Sequence, residues 1–194
     1  MNDNIQHIKP FLKWAGGKDK IYSQLEQFLP DDICHGKIDN YYEPFLGSGA
    51  VFFNLAKRYQ FKNIFLSDIN EELILVYKVV KKNPVELIQI LDQLKNKYNR
   101  LSDKDKEKFY YDLRTTYNYL RFNINYKKYS DAWVPRAAQM IFLNKTCYNG
   151  LYRQNLRGEF NVPFGKNYYP PIYEYDNLIA ILDKPVQVDP FGQD

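Results

Sequence analysis

Two runs, "NYYEPFLGSGAVFFNLAKRYQ" from residue 40 and "NIFLSDINEELILVYKVVKK" from residue 63, constrain what this chain can fold into more than any other feature. In the first, an apolar and aromatic run into Glu43 has strand composition. Gly47 and Gly49 supply a tight turn, and Ala50 to Tyr59 have the composition of a helix. The second repeats the scheme: a buried-type strand ends at Asp68, and Asn70 stands where a helix N-cap belongs. Strand, glycine turn, helix, strand, acid is the opening of a doubly wound α/β sheet.

The same pattern carries chemistry. Glycines after a strand let the backbone approach a ligand closely, and a carboxylate ending the next strand, here Asp68, can accept hydrogen bonds from ribose hydroxyls. The turn departs from the dinucleotide fingerprint, because Gly47-Ser48-Gly49 is followed by Phe52 where that fingerprint wants a small residue. A pyrophosphate is therefore disfavoured. S-adenosylmethionine, which has no phosphate, needs only a close backbone and a ribose acceptor. On the pattern alone, a purely structural glycine turn stays open as the competing reading.

Upstream, "DKIYSQLEQFLP" reads as an amphipathic helix stopped by Pro30. From Pro84 the texture changes. Val85, Ile88, Leu91, Leu94 and Tyr98 form one helical stripe, and Phe109, Leu113, Tyr117 and Leu120 form another after the cap-like Ser102. A third helix is expected from Asp131 to Asn144. After it, "YRQNLRGEFNVPFG" places Arg157-Gly158 at a turn between β-compatible arms. Residues 1–83 are thus expected to form half of an α/β domain, 84–170 an inserted helical subdomain bearing a β-hairpin, and 171–194 a return to the first domain.

Charge is concentrated in the middle: residues 81–128 carry 12 basic and 6 acidic side chains, within a net charge of +4 for the whole chain. That excess suits either a solvated helical surface or a polyanion-facing patch, and 18 tyrosines and 13 phenylalanines interleaved with Lys, Arg and Asn favour nucleic acid. Two cysteines and two histidines lie in no ligand-like spacing, so no disulfide framework or metal site is expected. The N-terminus is polar, and no stretch approaches the ~18 apolar residues a membrane span needs, which points to a cytoplasmic protein.

Four segments in order carry a family resemblance: "FLKWAGGK" at 11–18, "EPFLGSGAVFFN" at 43–54, "LSDINEELI" at 66–74 and "NKTCYNGLYRQNLRGEFNVPFGK" at 144–166. Over about residues 8–180 the chain resembles the Dam-type, GATC-methylating DNA adenine-N6 methyltransferases. The resemblance implies an S-adenosylmethionine-dependent, Rossmann-like methyltransferase sheet with an inserted DNA-recognition subdomain, acting on double-stranded DNA. It implies cofactor contacts from Trp14, Lys18, Asp68 and the loop Glu43, Pro44, Phe45, Gly47 and Gly49. Trp14 would lie beside the sulfonium, Lys18 would pair with the methionine carboxylate, and Asp68 would take the ribose. For DNA it implies Lys13 at the first guanine, and Tyr148, Asn149 and Arg153 for intercalation, orphaned-base or phosphate contacts and the outer base pair. Pro163 would contact thymine. Arg is the side chain able to bond guanine O6 and N7 together. Lys166 and Asn167 depart from the enterobacterial branch, which has Arg and Tyr there, so a related palindrome containing GAT stands as the alternative target.

The family's catalytic Asp-Pro-Pro-Tyr motif is absent. The nearest match, Asp189-Pro190-Phe191 in "KPVQVDPFGQD", has the ring one residue early, and Pro185 interrupts what would have to be a central strand. The expectation is an incomplete sheet in a truncated or split enzyme. It would be inactive alone, prone to associate, and served by a complementing C-terminal polypeptide, with Asp189 a non-catalytic tail residue. The alternative is a DNA- or cofactor-binding fragment without transferase activity.

Overall fold

The computed structural model describes residues 9–14, 19–182 and 184–190. Three parallel strands, β1 (Asn40–Glu43), β2 (Asn63–Asp68) and β3 (Val186–Pro190), pair in the order β1-β2-β3. Eight helices accompany them among the described residues: α1 (Asp19–Glu26), α2 (Asp31–Cys34), α3 (Ala50–Arg58), α4 (Glu71–Lys82), α5 (Pro84–Asn99), α6 (Asp103–Leu120), α7 (Trp133–Thr146) and α8 (Tyr175–Ile179). The strand–turn–helix units expected at 40–59 and 63–82 form with their caps: Gly49 precedes α3, and the Asn70 side chain accepts the Leu73 N–H at 3.1 Å. Ser102 likewise accepts the Asp105 N–H to start α6.

Two expectations need correction. Residues 186–190 are not a tail but a strand, pairing Leu66 with Val188 and Ser67 with Asp189. Pro185 does not break it, because that residue precedes the strand and only its carbonyl is used, accepting from Ile64 N–H at 3.0 Å. It also follows that β2 is covered on both sides, and that of the two strands expected to lie bare only β1 keeps an edge unpaired among the described residues. The helical stripes of α5 and α6 hold except at Val85, which is exposed: Leu91, Tyr98 and Tyr117 are buried, and Ile88, Leu94, Phe109 and Leu113 pack against the core, with Leu87, Lys106 and Tyr110 added to the buried set. The hairpin closes through two antiparallel bridges, Cys147 with Phe164 and Gln154 with Phe160, rather than through continuous strands. The first helix ends at Glu26, ahead of Pro30.

The sheet is dressed on one face. Ile64, Leu66, Val186 and Val188 turn inward and are buried, with α4 packed on β2 and β3. On the other face Tyr42 stacks on Phe65 with ring centroids 4.6 Å apart, and Tyr42 remains 65% exposed. A doubly wound sheet normally has helices on both faces. Here α3 and α4 follow successive strands wound in one direction, which is what the order 3-2-1 of half such a sheet produces.

Helix α4 is apolar nearly all round: Leu73, Leu75, Val76, Tyr77, Val79 and Val80 are fully buried. Such a helix must be enclosed, and it is, between the sheet and α7, itself buried at Val134, Ala137, Ala138, Ile141 and Phe142. One core therefore runs from the sheet into the helices of residues 84–170.

A charged pair lies inside this core. Glu72, in the first turn of α4, meets Arg136 of α7, with Arg136 Nε 3.0 and 2.9 Å from the two carboxylate oxygens and a second contact from Nη2. Arg136 Nη1 donates to the Tyr117 carbonyl at 2.7 Å, its guanidinium lies 4.0 Å from the Tyr117 ring centroid, and Tyr126 donates its hydroxyl to Glu72. Both charged side chains are almost wholly buried. Removing one partner strands the other, at a cost of about 3–5 kcal/mol for such pairs. Arg136→Met should therefore lower the urea midpoint strongly, and adding Glu72→Gln to it should cost much less than Glu72→Gln alone. Additive losses would show that the pair does not act as a unit.

Candidate functional site

Parallel strands bring the loops after β1 and β2 to one end of the sheet, where ligands of such folds bind. The two loops are tied together. Leu46 N–H donates to the Ser67 carbonyl at 3.0 Å, and Gly47 N–H donates to Asp68 Oδ2 at 2.9 Å. Asp68 Oδ1 accepts the Asn70 N–H at 2.9 Å, so the half-buried carboxylate is oriented by one backbone donor on each oxygen and keeps acceptor capacity on both. Gly49 cannot be replaced cheaply: its φ is +72°, and a Cβ there would lie 2.5 Å from the Tyr77 hydroxyl. That hydroxyl donates to the Ser48 carbonyl at 2.8 Å, pinning the turn to α4, and burial pushes the phenol's pKa well up, so it stays a donor.

Glu43 differs from Asp68. It is buried, and its Oε2 accepts the Phe52 N–H at 3.0 Å and the Tyr41 hydroxyl at 2.8 Å. These bonds make it a brace between β1 and the first turn of α3. Pro44 and Phe45 are exposed at the rim, Phe45 to 67%. The half-buried Trp14 packs the pyrrole side of its indole against Gly47, where a Cβ would come within 3.2 Å of Cδ1. It also stacks on Tyr152 at 4.9 Å and 11°. Lys18 lies outside the described residues.

The residue before Trp14 belongs to a second surface. Lys13 gives its N–H to Asn144 Oδ1 at 2.9 Å, and Asn144 Nδ2 returns a bond to the Lys13 carbonyl at 2.9 Å and another to the Gly150 carbonyl at 3.0 Å. The lysine side chain lies over Gly150, where any Cβ would fall 2.2 Å from Lys13 Cδ. Beside it Tyr148 and Asn149 are exposed, Asn149 with φ +55°, a conformation Asn tolerates better than most side chains. Tyr148 N–H donates to the Pro163 carbonyl at 2.9 Å, which brings the exposed Pro163 alongside.

Arg153 is exposed, with its Nε held by Asn161 Oδ1 at 2.8 Å and its carbonyl accepting the Asn161 N–H at 3.1 Å. Its two terminal amino groups have no hydrogen bond among the described residues. The turn beyond is stiffened by Asn155, whose Oδ1 accepts the N–H groups of Arg157 and Glu159. Lys145 adds a second cation near Lys13. Burial lowers its pKa, the Lys13 charge lowers it further, and Glu174 opposes the shift.

The structure thus gathers Lys13, Tyr148, Asn149, Arg153 and Pro163 around one segment, and Trp14, Gly47, Gly49 and Asp68 around another. Three residues in this arrangement were not legible as site residues: Asn144, Asn161 and Tyr152. Asn144 carried a signal, a lone amide at the end of an apolar helix. Tyr152 carried none among so many tyrosines.

Comparison with known proteins gives the family. Residues 14–186 match the model of the D12 class N6 adenine-specific DNA methyltransferases. The chain is 49% identical over 172 residues to the type II methyltransferase M.MjaIII of Methanocaldococcus jannaschii, covering 88% of this chain and 57% of that protein. It is 33% identical over 183 residues to the type II methyltransferase M1.LlaDCHI of Lactococcus lactis, covering 94% and 57%. It is 36% identical over 176 residues to the DNA adenine methylase of Escherichia coli, covering 91% and 54%. The chain therefore spans a little over half the length of these relatives. With a family match over residues 14–186, most of its length, the chain belongs to the D12 class N6 adenine-specific DNA methyltransferase family.

Proposed function

We propose that these 194 residues are the cofactor-binding and target-reading part of an enzyme that transfers methyl from S-adenosylmethionine to adenine N6 in duplex DNA, at GATC. The observation that carries the reading is the divergence of two consecutive side chains: Trp14 lies on the Gly47 turn and Lys13 on the Tyr148–Gly150 segment. A methyl donor and a DNA base edge have to be served within a short distance of each other, and this dipeptide joins the surfaces suited to each.

The pocket fits the cofactor chemically. Asp68 has acceptor capacity left for a diol, the glycine turn presents close backbone, and Trp14 offers an aromatic surface to a cation. When bound, S-adenosylmethionine supplies an electrophilic methyl on a sulfonium. The protein's own tasks are to bind and orient it, and to read and hold the duplex. On the reading side, Arg153 has its Nε fixed and its other nitrogens available to a guanine edge, and Lys13 with Lys145 forms a pair of cations suited to phosphate or base oxygens.

Adenine N6 is a weak nucleophile, and in a duplex it is stacked and paired, so the base must be extruded and its amino hydrogens taken up by acceptors. The family's Asp-Pro-Pro-Tyr performs that task, and no such run occurs in these 194 residues. Asp189 is a poor substitute. It stands on the far side of β2 from β1, 72% exposed and paired with Lys78 Nζ at 2.9 Å. In sheets of order 3-2-1-4 the site lies at the switch point on the other side of β1. The unpaired β1 edge and the bare Tyr42–Phe65 face suit further strands and helices, whether from the same polypeptide or from a complementing C-terminal one.

Three outcomes follow. Titration calorimetry of the 194-residue chain should show S-adenosylmethionine binding that Asp68→Ala reduces at least tenfold; equal binding by both, or preference for NAD, contradicts the pocket assignment. Gel shifts should favour a GATC duplex over a scrambled one, and Arg153→Ala should erase about 1–3 kcal/mol of that preference while leaving the salt-dependent background. Tritium transfer from labelled cofactor to GATC duplex should be absent with the 194 residues alone; turnover that Asp189→Ala abolishes would make Asp189 the catalytic acid.

A further inference from the structure

We infer that Tyr152 is a positioning residue that couples the two surfaces: through its stack on Trp14, an occupied cofactor pocket holds Arg153 in reading position. The inference rests on the reading just given and adds to it a mechanical link.

The chain of contacts is short. Asp68 holds the Gly47 N–H, Gly47 lies against the Trp14 indole, and that indole stacks on the Tyr152 ring at 4.9 Å and 11°. Tyr152 is followed directly by Arg153. Its ring also packs on Phe160 at 5.6 Å, and the next residue, Asn161, fixes Arg153 Nε and bonds its carbonyl. The two arms of the hairpin therefore meet at the Tyr152 ring, and that ring stacks on the tryptophan that lies against Gly47.

Elsewhere the arm and the cofactor loops stand apart. A cleft of about 460 Å³ separates Gln154 and Gly158 of the hairpin from Ile69, Asn70 and Glu72 at the start of α4. On its other side the hairpin is tied to α6 by Asn118, which bonds both the Phe160 N–H and carbonyl, and to Arg121 through the Arg157 carbonyl; towards Trp14 its contact is the Tyr152 stack. Burial holds the Tyr152 phenol protonated, its pKa pushed up, so the ring offers a neutral face to Trp14 across the physiological range. A ligand that immobilises Trp14 against Gly47 removes freedom from Tyr152 and hence from Arg153, and linkage requires that a duplex gripping Arg153 favour the cofactor by the same factor.

The test is a binding ratio. Calorimetry on the 194-residue chain would measure S-adenosylmethionine affinity with no DNA, with saturating GATC duplex and with scrambled duplex, for the parent, Tyr152→Phe and Tyr152→Leu. GATC should raise affinity about 3- to 10-fold in the parent and in Tyr152→Phe, which keeps the stack, and less than twofold in Tyr152→Leu. Because each factor is taken within one variant, a general loss of affinity cancels. An undiminished factor in Tyr152→Leu, or no factor in a parent that binds both ligands, overturns the coupling and leaves the functional reading standing. A parent that binds neither overturns both. Should Tyr152→Leu fail to fold, Trp133→Phe leaves Trp14 as the sole tryptophan. GATC duplex should then change its emission in cofactor-free protein more than scrambled duplex does, and equal responses reject the link.

Discussion

The Glu72–Arg136 pair is the constraint on which the rest of the arrangement hangs. Burying both charges is expensive, and the geometry that offsets it leaves little latitude: three guanidinium nitrogens and the Tyr126 hydroxyl are committed at once. Glu72 sits four residues after Asp68, at the start of the helix that Asn70 caps. Arg136 sits near the start of the helix that carries Asn144 in its last turn and leads into Tyr148. Fixing one against the other sets the distance between the loop after β2 and the Tyr148–Gly150 segment. Apolar packing of α4 on α7 supplies the stability; the ion pair supplies the register, since apolar faces can slide over one another and a bidentate pair cannot.

The sheet follows a different logic. Three strands wound in one direction bury one face and leave the other to Tyr42 and Phe65, and an edge to β1. Flat aromatic pairs on a bare face and an unpaired parallel edge are unstable features for a lone domain. They are ordinary features for half of a doubly wound sheet. The same topology explains why Asp189 is misplaced for catalysis despite its proline neighbour, because β3 lies at the edge remote from the switch point.

Much of the first half was legible because its signals are local. Gly47, Gly49, Asp68 and Asn70 are each required by backbone geometry or capping, and the expected strands and helices appear there nearly to the residue. The helices of 84–120 were read with the right face, Val85 apart, but the buried polar residues on that face were not foreseen, because their partners come from distant segments. Tyr98 donates to the Asn167 carbonyl and Tyr110 to the Val162 carbonyl, while Lys106 tucks under the Tyr169 ring at 3.8 Å with Asp103 nearby. A hydrophobic period cannot foresee a buried lysine capped by a ring from a distant segment, Tyr169. The strand at 186–190 was missed for a related reason: Pro185 and Pro190 look like breakers, but one lies before the strand and the other at its end, on an edge where a missing N–H costs nothing.

The site was legible as two motifs and illegible as one object. "FLKWAGGK" gave Lys13 and Trp14 separate roles, but what joins those roles is the Asn144 amide. Its Oδ1 takes the Lys13 N–H and its Nδ2 holds both the Lys13 and Gly150 carbonyls, so all three of its observed bonds go to backbone. Residues 9–14 form no helix or strand of their own, and a segment without a ladder takes its position from whatever satisfies its backbone groups. Here those are two side chains: Asn177 of α8 takes the Lys9 N–H, and Asn144 of α7, the helix that Arg136 locks to α4, holds Lys13. Trp14 and Lys13 are thus both placed with the help of α7, which is why the two halves read from the sequence as separate units cannot be positioned independently in the structure.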